Sequence, residues 1–333
     1  MTAPALAAPQ ATPGRPTSLA TERATAFVAE MLPLATGLGR ALADDVGDPE
    51  AFTKALATAF DLLADPAYRS EQSRVAPGIG AVHGVRLPLL TAVRKSFERA
   101  TRRESSTTLL FLADRLLRNP SMEPRWFAIG ILDRTLRSEP ERTWQLLRRA
   151  GREAADWITI DTLAHPVGRG ILREPYRWAE LEQLVISPSR WERRLVGSTI
   201  ATLPFVDRKA GRAHDIATRG LEILATLIGD AEPDVQKALA WAYRSMAIVD
   251  LQATTTALET EARIAGRSHD GLRAWVIRDA APKLAPADAA RLKASVEGLR
   301  RKPGRLEPTS RAAQLSHRFA GMGLGRPVPE PPL

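Results

Sequence analysis

The chain has 333 residues, 44% hydrophobic and 26% charged, the profile of a globular protein long enough to build an ordinary core. It has no cysteine, which excludes disulfides, thiolate metal sites and cysteine nucleophiles, and its five histidines (His83, His165, His214, His269, His317) are too scattered to suggest a metal centre. Net charge is +9, and 40 of the 47 cations are arginine, whose donor fork suits phosphate; nucleic acid is the first polyanion to consider, although a GC-rich gene also inflates Ala and Arg together.

Residues 1–18, MTAPALAAPQATPGRPTS, read as a disordered leader, with prolines breaking any apolar core of a signal peptide. No run approaches the ~20 apolar residues of a membrane span. From there to about residue 300 the pattern is helical, with breakers between helix-length blocks and no period-two alternation. Helices are expected over 20–43, 48–64, 88–102, 106–117, 124–137, 140–150, 153–164, 174–186, 189–203, 214–228, 233–247, 251–264, 270–282 and 287–300. Residues 301–333 read as a flexible, basic, Pro/Gly-rich tail; from Arg291 onward nine cations face three acids, so +6 of the net +9 lies there.

Several helices open alike, with an acid or serine beside a proline: Glu123-Pro124, Ser187-Pro188, Glu232-Pro233, and Asp270 following His269. Successive openings lie 64, 45 and 37 residues apart, about two units, one and one at the ~40–47-residue length of paired-helix repeats. The expected fold is therefore all-α: a solenoid of HEAT-like repeats over residues 19–300, with a concave basic face.

Stepping residues at 100° shows what each helix offers outward. In 233–247, Val235, Leu239, Ala242 and Met246 form the apolar stripe, and Lys237, Trp241 and Arg244 fall opposite. A tryptophan is more often core, but its phase between two cations weighs against that here. In 189–203, Leu195, Val196, Ile200 and Leu203 face inward while Arg190, Arg193, Arg194 and Gly197 share the other side, the glycine permitting close backbone approach. In 153–164, Trp157 and Asp161 lie one turn apart, away from Ile160 and Leu163. A basic face is usually a solvated one, and an isolated Trp/Asp pair is usually structural. If the three faces line one surface, they make a cationic trough with aromatic plates and one carboxylate, suited to phosphates and to bases or cationic groups.

Four segments, in order, carry a resemblance. His83-Gly84-Val85-Arg86-Leu87-Pro88, Trp157-Ile158-Thr159-Ile160-Asp161-Thr162-Leu163-Ala164 with Val167-Gly168, Trp191-Glu192-Arg193-Arg194, and Lys237-Ala238-Leu239-Ala240-Trp241-Ala242-Tyr243-Arg244 are similar to motifs of the HEAT-like DNA alkylation repair family, the AlkD-type alkylpurine DNA glycosylases. The resemblance spans about residues 20–265.

It implies a catalytic carboxylate at Asp161, aromatic walls at Trp157 and Trp241, and Arg194 holding DNA in the site, with Arg190, Arg193, Lys237 and Arg244 on the DNA backbone. It further implies removal of N3- or N7-alkylated purines from duplex DNA by a cytoplasmic monomer, with no metal, cofactor or membrane. Two positions depart from it: Ile158 stands where many relatives carry an aspartate, and Ser245 follows Arg244 where an acid is usual. A non-catalytic DNA-structure binder and a protein-binding helical scaffold are the alternatives. The Gly321–Gly325 run hints at a nucleotide loop, but no strand precedes it, and there is no P-loop or G-x-S-x-G elsewhere.

Overall fold

The computed structural model describes residues 18–76, 78–301 and 307–322; most of the expected leader and the ends of the expected tail, including Gly323–Gly325, lie outside them. Sixteen α-helices fill these residues, joined by short 3₁₀ turns, and two isolated bridges are the only β-type pairings among them. The first eight are α1 (Leu19–Ala41), α2 (Pro49–Leu62), α3 (Pro66–Val75), α4 (Leu87–Ala100), α5 (Ser106–Leu117), α6 (Met122–Thr135), α7 (Pro140–Glu153) and α8 (Trp157–Arg173). The rest are α9 (Trp178–Gln183), α10 (Arg190–Val206), α11 (His214–Leu227), α12 (Pro233–Val249), α13 (Leu251–Ser268), α14 (Gly271–Ala280), α15 (Pro286–Ser295) and α16 (Arg311–Gly321).

Of the four expected openings, only Asp270 caps its helix with its side chain; Glu232 precedes Pro233 of α12 without a side-chain cap, α10 starts after Ser189, and Glu123 lies inside α6. The Asp48, Asp65, Asp156, Asp250 and Asp270 side chains accept from the first-turn N–H groups of α2, α3, α8, α13 and α14, and Pro49, Pro66, Pro140 and Pro233 open helices where their missing N–H goes unused.

The protein is an all-α solenoid of helical repeats. One row stacks α4, α6, α8, α10, α12 and α14, with α8, α10 and α12 in the most extensive contact; the opposite row carries α5, α7, α11, α13 and α15. Helices of the first row begin 33 to 43 residues apart. Side chains one repeat apart tie neighbours together: Ser198 Oγ donates to Asp161 at 2.6 Å, Thr202 Oγ1 to the Ala164 carbonyl at 3.1 Å, and Arg219 Nη2 to Glu182 at 2.9 Å. One hydrophobic core runs the length of the stack and includes the stripe residues Val235, Leu239, Met246, Leu195, Val196 and Ile200.

Gly197 admits a close backbone approach, as expected, although on the buried side of α10. A Cβ there would stand 3.0 Å from the carbonyl carbon and Cβ of Ala238 and 3.1 Å from the Leu239 nitrogen, so the backbone it admits is that of α12. Gly197→Val is expected to destabilise the fold by about 1–3 kcal/mol by forcing α10 and α12 apart. Urea unfolding measures this, and an unchanged midpoint would show that the two helices part freely.

Other spans differ from the sequence reading. α8 opens at Trp157, after the Asp156 cap, and continues to Arg173 although Pro166 removes a bond to the Thr162 carbonyl and crowds it; burial of Val167 and Ile171 in the core beyond the proline offsets that cost. The expected helix 174–186 is the short α9 between 3₁₀ turns at Pro175–Arg177 and Leu184–Ile186. α3 was not expected because its sequence, PAYRSEQSRV, has no apolar stripe.

In the expected flexible tail, α16 is a docked helix. Thr309 N donates to the Gly229 carbonyl at 2.8 Å, Ala312, Ala313 and Ser316 are buried, and Ser316 Oγ lies 3.4 Å from the Val185 carbonyl. Three small residues bury that helix, too weak a stripe to stand out from a Pro/Gly-rich background. The segment Leu19–Asp45 is long and apolar enough to cross a membrane by length and composition, contrary to the expectation of no such run. It lies along α4, where Ser96 Oγ donates to the Thr36 carbonyl at 2.7 Å and Gly39 sits against the Val93 backbone with no room for a Cβ.

Candidate nucleic-acid site

α8 presents Trp157, Asp161, His165 and Arg169 along one strip, each a turn after the last. This strip faces a cleft of about 420 Å³ whose other walls are Leu87 and Arg94 of α4, Trp126, Gly130 and Asp133 of α6, and Trp241 of α12. The expected Trp157, Asp161 and Trp241 therefore meet at one site.

Asp161 is held from beneath by α10. Arg194 Nε and Nη2 donate to its two oxygens at 3.1 and 2.7 Å, and Ser198 Oγ donates to one of them at 2.6 Å. Two donors in a rigid fork plus a hydroxyl fix the carboxylate in one orientation. Its side chain keeps 22% exposure, so an edge of it stays open to the cleft.

Arg194 itself is buried, and its third nitrogen donates to the Asp234 carbonyl at 2.6 Å. Its guanidinium is thus bonded to Asp161 and to the start of α12, an arrangement that positions the carboxylate.

Trp157 leans on an apolar cluster of Ala76, Ile79 and Met122, its Nε1 is 3.5 Å from the Val75 carbonyl, and the Arg194 guanidinium lies 5.9 Å from its ring centroid. Ile158 packs on the same cluster and lines the cleft floor, so the position that departs from the resemblance is apolar in its surroundings as well. Ser245 is buried.

The HGVRLP segment is positioned by a wholly buried carboxylate. Glu123 accepts from the His83, Gly84 and Val85 N–H groups at 3.0, 2.7 and 3.2 Å, and Gly84 takes φ +86°, open to glycine at little cost. The loop therefore joins the first turn of α6 and delivers Leu87 to the cleft edge.

The expected DNA-backbone residues divide. Lys237 is exposed on α12. Arg190 is exposed, stacked 4.8 Å over Trp191 and 3.6 Å from Glu232. Arg244 is half-buried and bonded to the carbonyl and carboxylate of Asp279. Arg193 does not belong with them: it is buried, its Nε donates to Asp230 at 2.7 Å, and its Nη1 donates to the Ser187 and Pro188 carbonyls at 2.8 and 3.2 Å. The 100° phase put it near the outward face, but helix ends pack against loops as well as helices, and the loop before α12 covers it.

Sequence reasoning missed Trp126, Arg94, Asp133, Arg169 and His165. The Arg94 stem crosses Gly130, where a Cβ would strike it, and its guanidinium lies 5.9 Å from the Trp126 ring; Arg169 pairs with Asp133. Trp126, Gly130 and Asp133 share a face at i, i+4 and i+7, a signal of the same kind as Trp157/Asp161 one helix earlier.

His165 lies exposed at the cleft. Crowding by its neighbours and then the like charge of Arg169 hold its imidazole below the ordinary value, against the opposing pull of Asp133 and Asp161. In the free protein the unfolded chain then binds the proton more readily, so this group's contribution to stability is lost as pH falls below the ordinary imidazole value. Phosphate in the cleft favours the protonated ring instead. Binding of duplex DNA is expected to strengthen as pH drops below about 6.5, and His165→Gln to flatten that rise. Anisotropy titrations across pH check it, and identical profiles for both proteins would contradict it.

The family model whose description is DNA alkylation repair enzyme matches residues 56–284. The chain belongs to this family. The match begins inside α2 and ends just after α14, rather than running from about 20 to 265, and it takes in every residue named at the cleft, with α1 to one side of it and α15 and α16 to the other. No curated protein matches the chain. Membership in a DNA repair family implies DNA as the substrate and an enzymatic role in repairing alkylation. Among the described residues, no group of three or more His, Asp or Glu side chains is arranged to hold a metal ion.

Proposed function

We propose that the protein is a DNA glycosylase that hydrolyses the N-glycosidic bond of N3- or N7-alkylated purines in duplex DNA. The observation that carries this reading is the Asp161 carboxylate, clamped by Arg194 and Ser198 with one edge open to a cleft lined by Trp157 and Trp241. An alkylated purine is cationic, so its bond to C1′ is already weakened and the leaving base needs little acid help. The C1′–N bond breaks with its electrons going to the purine, and the sugar takes on oxocarbenium character. Asp161 stabilises that charge and orients a water, whose oxygen bonds to C1′ as its proton passes to the Asp161 carboxylate and from there to solvent. Indole faces attract the cationic base, and the exposed Lys237 and Arg190, one helical turn before Trp241 and Arg194, suit backbone phosphates.

The test is release of free methylated bases from dimethyl sulfate-treated duplex DNA, with Asp161→Asn as the control. Release by the wild type alone supports the reading. DNA binding without release would assign the chain to the non-catalytic binders of the same scaffold.

A further inference from the structure

α14 repeats the signature of α12. Ala240-Trp241-Ala242-Tyr243-Arg244 of α12 and Ala274-Trp275-Val276-Ile277-Arg278 of α14 share the order Ala-Trp-x-x-Arg, 34 residues apart in the row that lines the cleft. Arg244 is bonded to Asp279, the neighbour of Arg278, so the two rungs are adjacent.

Around the second rung the arginines gather. Arg278 Nη1 donates to the Val296 and Leu299 carbonyls at 3.1 and 2.9 Å, and Arg300 Nη1 lies 3.3 Å from that same Leu299 oxygen. The Arg301 guanidinium stacks 4.7 Å over the Trp275 ring, and its Nε is buried with no hydrogen-bond partner. No ion pair joins any of these three arginines to a carboxylate among the described residues, whereas Arg193, Arg194, Arg244 and Arg273 all have one. Burial, and then the charges of Arg300 and Arg301, push Arg278 below the usual guanidinium range. Like charges left this close without a counterion are an anion site waiting for its anion.

We infer that Arg278, Arg300 and Arg301, with Trp275, form a second phosphodiester-binding site, one repeat beyond the cleft, that grips the DNA backbone. The site rests on the reading of the cleft row as the DNA-facing surface. Adjacent helices stand about 10 Å apart, close to the rise of three base pairs along a duplex axis. The DNA flanking the lesion on one side is therefore held about three nucleotides further than the cleft residues alone would reach.

The experiment is anisotropy with unmodified duplexes of about 10 and about 20 base pairs over a range of salt, using the full chain and an Arg300→Ala/Arg301→Ala variant, with Arg301→Lys as the charge-retaining partner and thermal melts confirming folding. Removing two phosphate contacts is expected to weaken binding of the longer duplex roughly tenfold or more and to lower its salt slope by about two. Arg301→Lys is expected to keep the slope, and base release from a short methylated duplex at saturating enzyme to stay unchanged. Wild-type affinity and slope in the double variant, or no binding of either duplex by the wild type, overturns the site. Failure of base release alone, with the binding differences intact, defeats the glycosylase reading and leaves this one standing.

Discussion

Asp161→Asn is expected to lower base release from methylated duplex DNA by about 10²–10³-fold while leaving DNA binding within a few-fold of wild type. The substitution keeps the shape of the side chain and an oxygen for the Ser198 hydroxyl, and removes the charge. A preorganised charge acts where positive charge develops, on the sugar as the base departs, so the loss falls on the chemical step. The variant also turns an amide N–H₂ toward one arm of the Arg194 fork, which then lacks its acceptor; a destabilisation of about 1–3 kcal/mol accompanies it. Single-turnover base release well below the melting transition separates the two effects. A variant that is folded, binds DNA and still releases base at the wild-type rate would remove Asp161 from the chemistry.

The parts of this molecule that the sequence made legible are those encoded by one helix at a time. Trp157 and Asp161 share a face of α8 because they are four residues apart, and Lys237 and Trp241 share a face of α12 for the same reason; no tertiary knowledge is needed. What joins two helices escaped. The 100° phase of α10 placed Arg193 and Arg194 together, yet one is covered by the loop carrying Asp230 and the other lies under Asp161. Gly197 does permit a close backbone approach, but no local pattern says that the backbone is that of α12. The Glu123 clamp on the His83–Val85 loop spans 38 to 40 residues, and no local pattern marks a carboxylate that will be wholly buried. The net charge is equally uninformative about position. It counts alike Arg193, ion-paired in the interior, and Arg300, exposed and without an ion pair among the described residues.

That distinction gives Arg193→Ala its expected outcome: a loss of stability of about 3–5 kcal/mol with little change in DNA affinity per folded molecule. Arg193 and Asp230 are both buried, with side-chain exposures of 7% and 1%, so truncating the arginine leaves a carboxylate in the interior without its counterion. It also strips the Ser187 and Pro188 carbonyls of a donor, loosening the entry to α10. Asp230 retains the Glu232 N–H at 2.9 Å, one hydrogen bond against a full charge. Since Asp230 shapes the turn into α12, through its own carbonyl accepting from Gln236 Nε2 at 2.6 Å, the disturbance reaches the helix that carries Lys237 and Trp241. Urea unfolding with DNA titrations on the folded fraction distinguishes the roles. Were Arg193 a phosphate contact, the melt would barely move and the salt slope of binding would fall by about one. As half of a buried pair, it moves the melt and leaves the slope alone.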